Sequence, residues 1–461
     1  MNTSRLILLC FVMSLFLCTG QAVLAGNKST VNPGELPSVG EVEFDISCDP
    51  KNQELFNQGV AMLHHMMYAQ SRELFKEMIR TDPDCAMLHW GVAMTYLHPL
   101  WAPPSQSDLE NGMAAFSRAQ KLGAPTKRET GYIDAIGVYF TDWQKFSHPE
   151  RLARWEEAQR NLHLSNPEDI DAAGFYALSH LATAPKADKT FAHQKNAGHL
   201  LEGLHSKAPM HPSGYHYTIH AYDNPMLAEK ALDVSRGYGT IAPDVPHALH
   251  MPTHIFVRLG LWDDVIEWNA RSASVALSQP VNGMISLHYA HAIDYLVYGY
   301  LQKGQESEAM QILEKLNATN NFQDSFASAY AIAAAQARIA LERSDWKTAA
   351  ALPVRTHQSF PWDKYPWFEA ITYFSRGLGT ARSGDMEAAR TNLSRLNELY
   401  DRTREAGQDY WAVLVDSQRK SVESWIMFSK GQKLEALELM TAAADLEDSV
   451  DKHPVTPGAV I

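Results

Sequence analysis

A small residue followed five positions later by alanine or valine recurs along the second half of the chain. The pairs are Gly260/Val265, Gly304/Ala309, Ser344/Ala349, Gly384/Ala389 and Gly431/Ala436, at steps of about 40 to 47 residues. A turn between antiparallel helices needs the small residue, and close approach of the second helix to the first needs the alanine. A unit of this size cannot bury its apolar face alone, so copies must stack into one continuous core. The pattern predicts an all-α solenoid. The 461 residues would otherwise suggest two or three domains, but a repeat array forms one body.

Other positions agree with this template. Leu296, Val297 and Tyr300 precede Gly304, and Ala309 and Leu313 follow it. An aromatic residue stands two positions after the turn at Trp262 and Trp346. Near the N-terminus Gly59, Tyr68, Phe75 and Pro83 fall into the same register, with Pro83 ending a helix and restricting Asp82. On these residues the chain resembles the tetratricopeptide superfamily over about residues 50–445, strongly at both ends and weakly over 125–245. The resemblance implies a right-handed superhelix of antiparallel helix pairs whose first helices line a concave groove. The commonest role of that architecture is to hold a peptide or protein partner.

The expected division is a signal peptide over 1–25, an extended segment over 26–45, helical repeats with an irregular middle over 46–245, and regular repeats over 246–447. A terminal loop follows over 448–461. Arg5, the apolar run Leu6–Leu17 and Val23-Leu24-Ala25 compose the signal, with cleavage before Gly26 and a periplasmic or secreted destination. No later stretch is apolar enough to cross a bilayer. Cys10 and Cys18 leave with the signal, and Cys48 and Cys85 remain as an expected disulfide. The loop around His453-Pro454 stops so soon that a truncated version of a longer protein is expected. The net charge of -13, with no basic block, argues against nucleic acid and anionic membranes as partners.

Histidine is not a repeat residue, yet twelve of the twenty lie between His180 and His291. Three groups stand out. His216 and His220 are four apart and share one helical face, with His211 just before the helix and Asp223 just after. In the second group Pro252 opens a helix, with His247 and His250 before it and His254 inside it. Arg258 lies one turn on, placed for an anionic substrate or a carboxylate. The third group is His288, His291 and Asp294, spaced by three. If successive first helices bring these faces together, His216, His220, His250, His254 and His291 could hold a transition metal. His211, Asp223, His247, Arg258, His288 and Asp294 would then contact substrate or support the ligands. Nitrogen ligands with optional carboxylates suit zinc, copper or iron. The alternative is a hydrogen-bonded network, or a polar groove for a peptide.

Tyr217 stands where the glutamate of H-E-x-x-H would be, which disfavours that route to peptide hydrolysis. The phrases Cys85–Met94, His211–His220 and His250-Met-Pro-Thr-His254-Ile resemble those of a group of exported bacterial tetratricopeptide-like proteins. Ser213 and Thr253 depart from its usual residues. The resemblance makes His211, His216, His220, His250 and His254 a signature, without an activity. A second cluster, His64, His65, His98 and Glu129 with Met62, Met66, Met67, Met87 and Met94, reads as core filling before it reads as a copper site. There is no phosphate-binding glycine loop, nucleotide fingerprint or nucleophile elbow. Catalytic residues cannot be named from the sequence. The expectation is therefore a metal-dependent protein, with a small molecule or peptide in its groove, or a scaffold for a protein partner.

Overall fold

The computed structural model describes residues 37–461, except 102, 186, 187, 454 and 461. The signal-peptide reading of 1–25 and the first part of the expected extended segment lie outside the described residues. From residue 37 to 46 the chain has no regular secondary structure, yet Val39, Val42 and Phe44 are buried. The Phe44 ring lies 5.3 Å from Phe56 and 4.7 Å from Tyr132, so this segment is part of the core.

Beyond it, helices run from Gln53–His64 to Lys433–Asp448. Among the described residues no strand forms, only the isolated bridges Val281–Met284 and Ile285–Phe322. Among the described residues no helix is long and apolar enough to cross a membrane.

The repeat turns explain the pairing. Gly260, Gly304, Gly384 and Gly431 adopt φ of 69°, 66°, 88° and 84°, and Ser344 takes the same left-handed conformation at 53°. After each, one N–H reaches back over the turn: Leu261 to Phe256, Gln305 to Tyr300, Asp345 to Ala340 and Asp385 to Thr380, all at 2.9 Å, and Gln432 to Met427 at 3.2 Å. These bonds satisfy carbonyls that the helix end would otherwise leave open. Val265, Ala309, Ala349, Ala389 and Ala436 are all buried against the preceding helix. The approach is close. A Cβ on Gly379 would lie 2.3 Å from the backbone N of Ala350.

Stacking follows from pairing. Leu287–Gln302, Phe326–Glu342, Pro366–Arg382 and Asp409–Ser429 are first helices, and each packs on the next. The register at the N-terminal end rests on Phe75, which fills the space left by Gly59 and Gly91. The stretch 125–245 is helical too, with Lys127–Phe140, His148–Ser165, Ile170–Ala182, Ala192–Lys207, Pro212–Tyr222 and Leu232–Ile241 packed in chain order. Its turns use non-glycine residues at positive φ, Asp142 at 55° and Phe191 at 56°. The fold is an all-α, tetratricopeptide-like helical-repeat solenoid.

The terminal loop folds back into the groove. Tyr330 donates to the Gly458 carbonyl at 2.6 Å, Arg338 donates to the same oxygen at 2.5 Å, and Gln418 donates to Val460 at 2.7 Å. The methionines of the N-terminal cluster are core residues, all of them buried.

Cys48 and Cys85 form the expected disulfide, with Cα atoms 5.5 Å apart and a sequence separation of 37. It ties the segment before Gln53–His64 to the start of Ala86–Met94. Closing a loop of this length stabilises by about 4 kcal/mol in the chain-entropy model. A Cys48→Ala/Cys85→Ala variant should therefore lose about 3–4 kcal/mol in denaturant unfolding. An unchanged midpoint and slope would show that the tether constrains nothing.

Candidate metal centre

Prolines set where the histidine helices begin. Pro212 occupies the first turn of Pro212–Tyr222, where its missing N–H costs nothing. His211 caps this helix, its Nδ1 accepting from the Ser213 N–H at 3.3 Å. His216 and His220 then project one turn apart. Pro246 and Pro252 likewise open Pro246–His250 and Pro252–Leu259. Met251 joins the two in right-handed helical conformation, φ -53° and ψ -39°, so the turn continues. The sequence places His250 before a helix. The structure places it at the end of a helical turn, four residues from His254 on a shared face.

The rings fall into two triads, and within each the nitrogens lie within 4.8 Å of one another. One is His250, His254 and His291. The other is His216, His220 and His247. The five expected ligands are thus divided, and His247 joins them as a sixth.

In the first triad the tautomers of His250 and His254 are fixed. The Asn269 side-chain amide donates to the Val265 carbonyl at 2.8 Å, which turns its oxygen toward His250 Nδ1 at 2.7 Å. His250 Nδ1 must therefore carry the proton. His254 Nδ1 donates to Asp223 at 3.0 Å. Burial opposes ionisation of Asp223, but Lys452, His254 and Arg258 outweigh it and hold the carboxyl well below the usual range. With both Nδ1 atoms protonated, the Nε2 atoms are bare in the neutral rings, and they face each other at 3.0 Å. Two lone pairs at that distance repel unless a cation lies against both. A proton is a poor candidate. Burial is the main cause that lowers the pKa of His250, His254 and His291, outweighing the pull of Asp223 on His254.

In the second triad His216 Nδ1 donates to the His64 carbonyl at 2.6 Å, and its Nε2 lies 3.1 Å from His220 Nε2. His247 is 4% exposed, and neither of its ring nitrogens has a hydrogen-bond partner. An unsatisfied buried polar atom costs about 1–3 kcal/mol, so packing alone does not explain this ring.

His220, His247, His254, His288 and His291 line a cavity of about 530 Å³, together with Trp101. Trp101 meets His247 and His288 edge to face, at 5.5 and 6.2 Å. His288 has a buried Nδ1 with no partner.

The remaining expected residues have other duties. His211 and His64 both donate to Asp171, at 3.3 and 2.9 Å, while Tyr217 donates to His64 at 3.0 Å and Ser213 to His211 at 2.8 Å. This network is satisfied and lies behind His216. Arg258 pairs with Asp223 at 2.8 Å, so its charge is answered by that carboxylate. Asp294 does not join the histidines. It pairs with Arg338 at 3.3 Å, and burial raises its pKa to about 6.

Three residues were not legible beforehand. Asn269 comes from Trp262–Ser278, Tyr295 packs on His250 with ring centroids 4.6 Å apart, and Lys452 comes from the terminal segment, 3.9 Å from Asp223. Burial lowers the Lys452 pKa to about 8, against the pull of Asp223. A third cluster, Glu156, His180 and His193, is half-buried and outside this cavity.

No protein-family model and no curated protein matches the chain. Among solved structures, the human IFIT1 dimer with m7Gppp-AAAA overlays at a TM-score of 0.37 and 12% identity, covering 86% of this chain and 82% of that one. The Cut9–Hcn1 hetero-tetramer of APC/C gives 0.33 at 13% identity, over 88% and 79%. Overlays this loose carry no argument about function, and the fold assignment rests on the turns and helix pairs described above.

Burial of neutral histidines has a measurable consequence. His64, His65 and His148 are held at about 4, about 3 and about 4, below the ordinary 6.5, by burial in each case. Below about pH 6.5 the unfolded chain binds protons that the folded chain refuses, so stability falls with pH. The stabilisation is complete above pH 6.5 and is lost progressively toward pH 4. Thermal unfolding of metal-free protein should therefore show a lower midpoint at pH 5 than at pH 7.5. A flat or rising midpoint would contradict these assignments.

Proposed function

We propose that the protein is an exported, metal-dependent protein that holds a transition metal on His250, His254 and His291 and acts on a small molecule in the adjoining cavity. The observation that carries this reading is the facing pair of bare Nε2 atoms on His250 and His254, 3.0 Å apart, each fixed by a hydrogen bond at Nδ1. Metal-ligating histidines are oriented in this way, the far nitrogen donating to a carboxylate or amide oxygen. His291 supplies a third nitrogen, and the cavity leaves a coordination position open to a ligand. A metal with three protein ligands and an open position polarises or activates what binds there.

Export is supported by the pattern at Arg5–Ala25 and by the Cys48–Cys85 disulfide, which suits an oxidising compartment. The likeness of His211–His220 and His250–Ile255 to an exported group belongs with this reading.

One observation favours a second reading, a scaffold for a peptide partner. The groove already holds a turned segment, residues 455–460, largely through its backbone carbonyls. A partner of similar form would have to displace it.

The test is metal content. Protein made without a histidine tag or chelator, and offered zinc, copper and iron in turn, should retain a transition metal through dialysis. A folded His250→Ala/His254→Ala variant should retain about one equivalent less. Retention of no metal, or unchanged content in the variant, would overturn the reading and leave the scaffold.

A further inference from the structure

We infer that the groove holds two metal ions rather than one, and that they are copper; this deepens the metal reading above and rests on it. His250, His254 and His291 would hold one ion, and His216, His220 and His247 the other.

The geometry of each triad is that of a separate site. Metal–imidazole bonds are about 2.0–2.1 Å, so two nitrogens on one ion stand about 3.3–3.6 Å apart. The facing Nε2 pairs stand at 3.0 Å in one triad and 3.1 Å in the other, close to that separation before any ion pulls them into place. The two gaps belong to different helices, and one ion cannot sit in both. The second triad also carries its own marks of a ligand. His216 Nε2 is bare, because its Nδ1 donates to the His64 carbonyl. His247 is buried with both nitrogens unpartnered, beside His216 at a ring separation of 5.0 Å. The hydrogen-bonded fold assigns no role to the two His247 nitrogens.

The ligand chemistry points to copper. All six candidate ligands are neutral nitrogens, which excludes magnesium and calcium, whose sites are built from oxygen. Imidazole suits zinc, copper, iron and nickel, and of these copper is the one that also binds as a monovalent ion. Charge then decides the oxidation state. Arg258 and Lys452 flank the triads, and Asp223 is the one carboxylate paired with them. Two divalent ions would add four positive charges to this buried space, and two cuprous ions only two. Burying uncompensated charge is costly, so the cuprous pair is favoured. His220 and His247 from one triad and His254 and His291 from the other line the same cavity. Both ions therefore face one space, where a small ligand reaches either.

The test is an anaerobic titration of the full chain with cuprous ion against a chromophoric cuprous chelator. Wild type should saturate at two ions per chain. His216→Ala/His247→Ala should saturate at one, and so should His250→Ala/His291→Ala. The ion that each variant retains shows that it is folded. Saturation of wild type at one ion, abolished by either variant, would overturn the two-ion inference and leave the metal reading standing. Two ions taken up as zinc but not as copper would overturn the copper assignment. No uptake of any metal would overturn both this inference and the reading it rests on.

Discussion

Two helices lie only as close as the side chains between them allow, and at four of the five regular repeats of this chain the allowance is a methyl group or less. Ala309, Ala349 and Ala389 are completely buried where the second helix meets the first, and Gly379 has no room for a Cβ against Ala350. This close pairing fixes the pitch of the stack and so the spacing of the first helices. That spacing brings Leu287–Gln302 beside Pro246–His250, and Pro252–Leu259 beside Pro212–Tyr222. Without it, histidines from three separate segments would not share one cavity.

The stack positions the rings, and hydrogen bonds aim them. Asn269 and Asp223 hold the far nitrogens of His250 and His254, and the His64 carbonyl holds that of His216. Asp223 is the centre of this arrangement. It accepts from His254 and Arg258 and faces Lys452, so the terminal segment is coupled to the same carboxylate that orients a ring. The free energy of folding is spent here on an unfavourable arrangement. Neutral imidazoles are buried with nitrogens bare or unpartnered, which a protein selected only for stability would avoid.

The regular half of the fold was legible because its turns need a left-handed residue, and glycine announces one at Gly260, Gly304, Gly384 and Gly431. The middle was not, because Asp142 and Phe191 adopt the same conformation without that signal. The site shows a similar split. A spacing of four puts His216 with His220, and His250 with His254, on one face, and the structure keeps both pairs. A spacing of three misleads over two steps. Each step of three turns the helix about 60° short of a full circle, so Asp294 points well away from His288 and meets Arg338. His247 is three before His250 and seven before His254, and its rank as a candidate ligand rests on its lack of any hydrogen-bond partner. Asn269 and Lys452 are distant in sequence, and only the packing of helices places them.

The central claim is that a cation relieves the repulsion between the His250 and His254 Nε2 atoms. The most direct measurement is anomalous diffraction from crystals of the metal-loaded protein, collected at the copper, iron and zinc absorption edges. The account predicts an anomalous peak about 2.0–2.1 Å from both Nε2 atoms, with the rings still held by Asn269 and Asp223. Rings in those same positions with no anomalous peak between them, at any of the three edges, would contradict it.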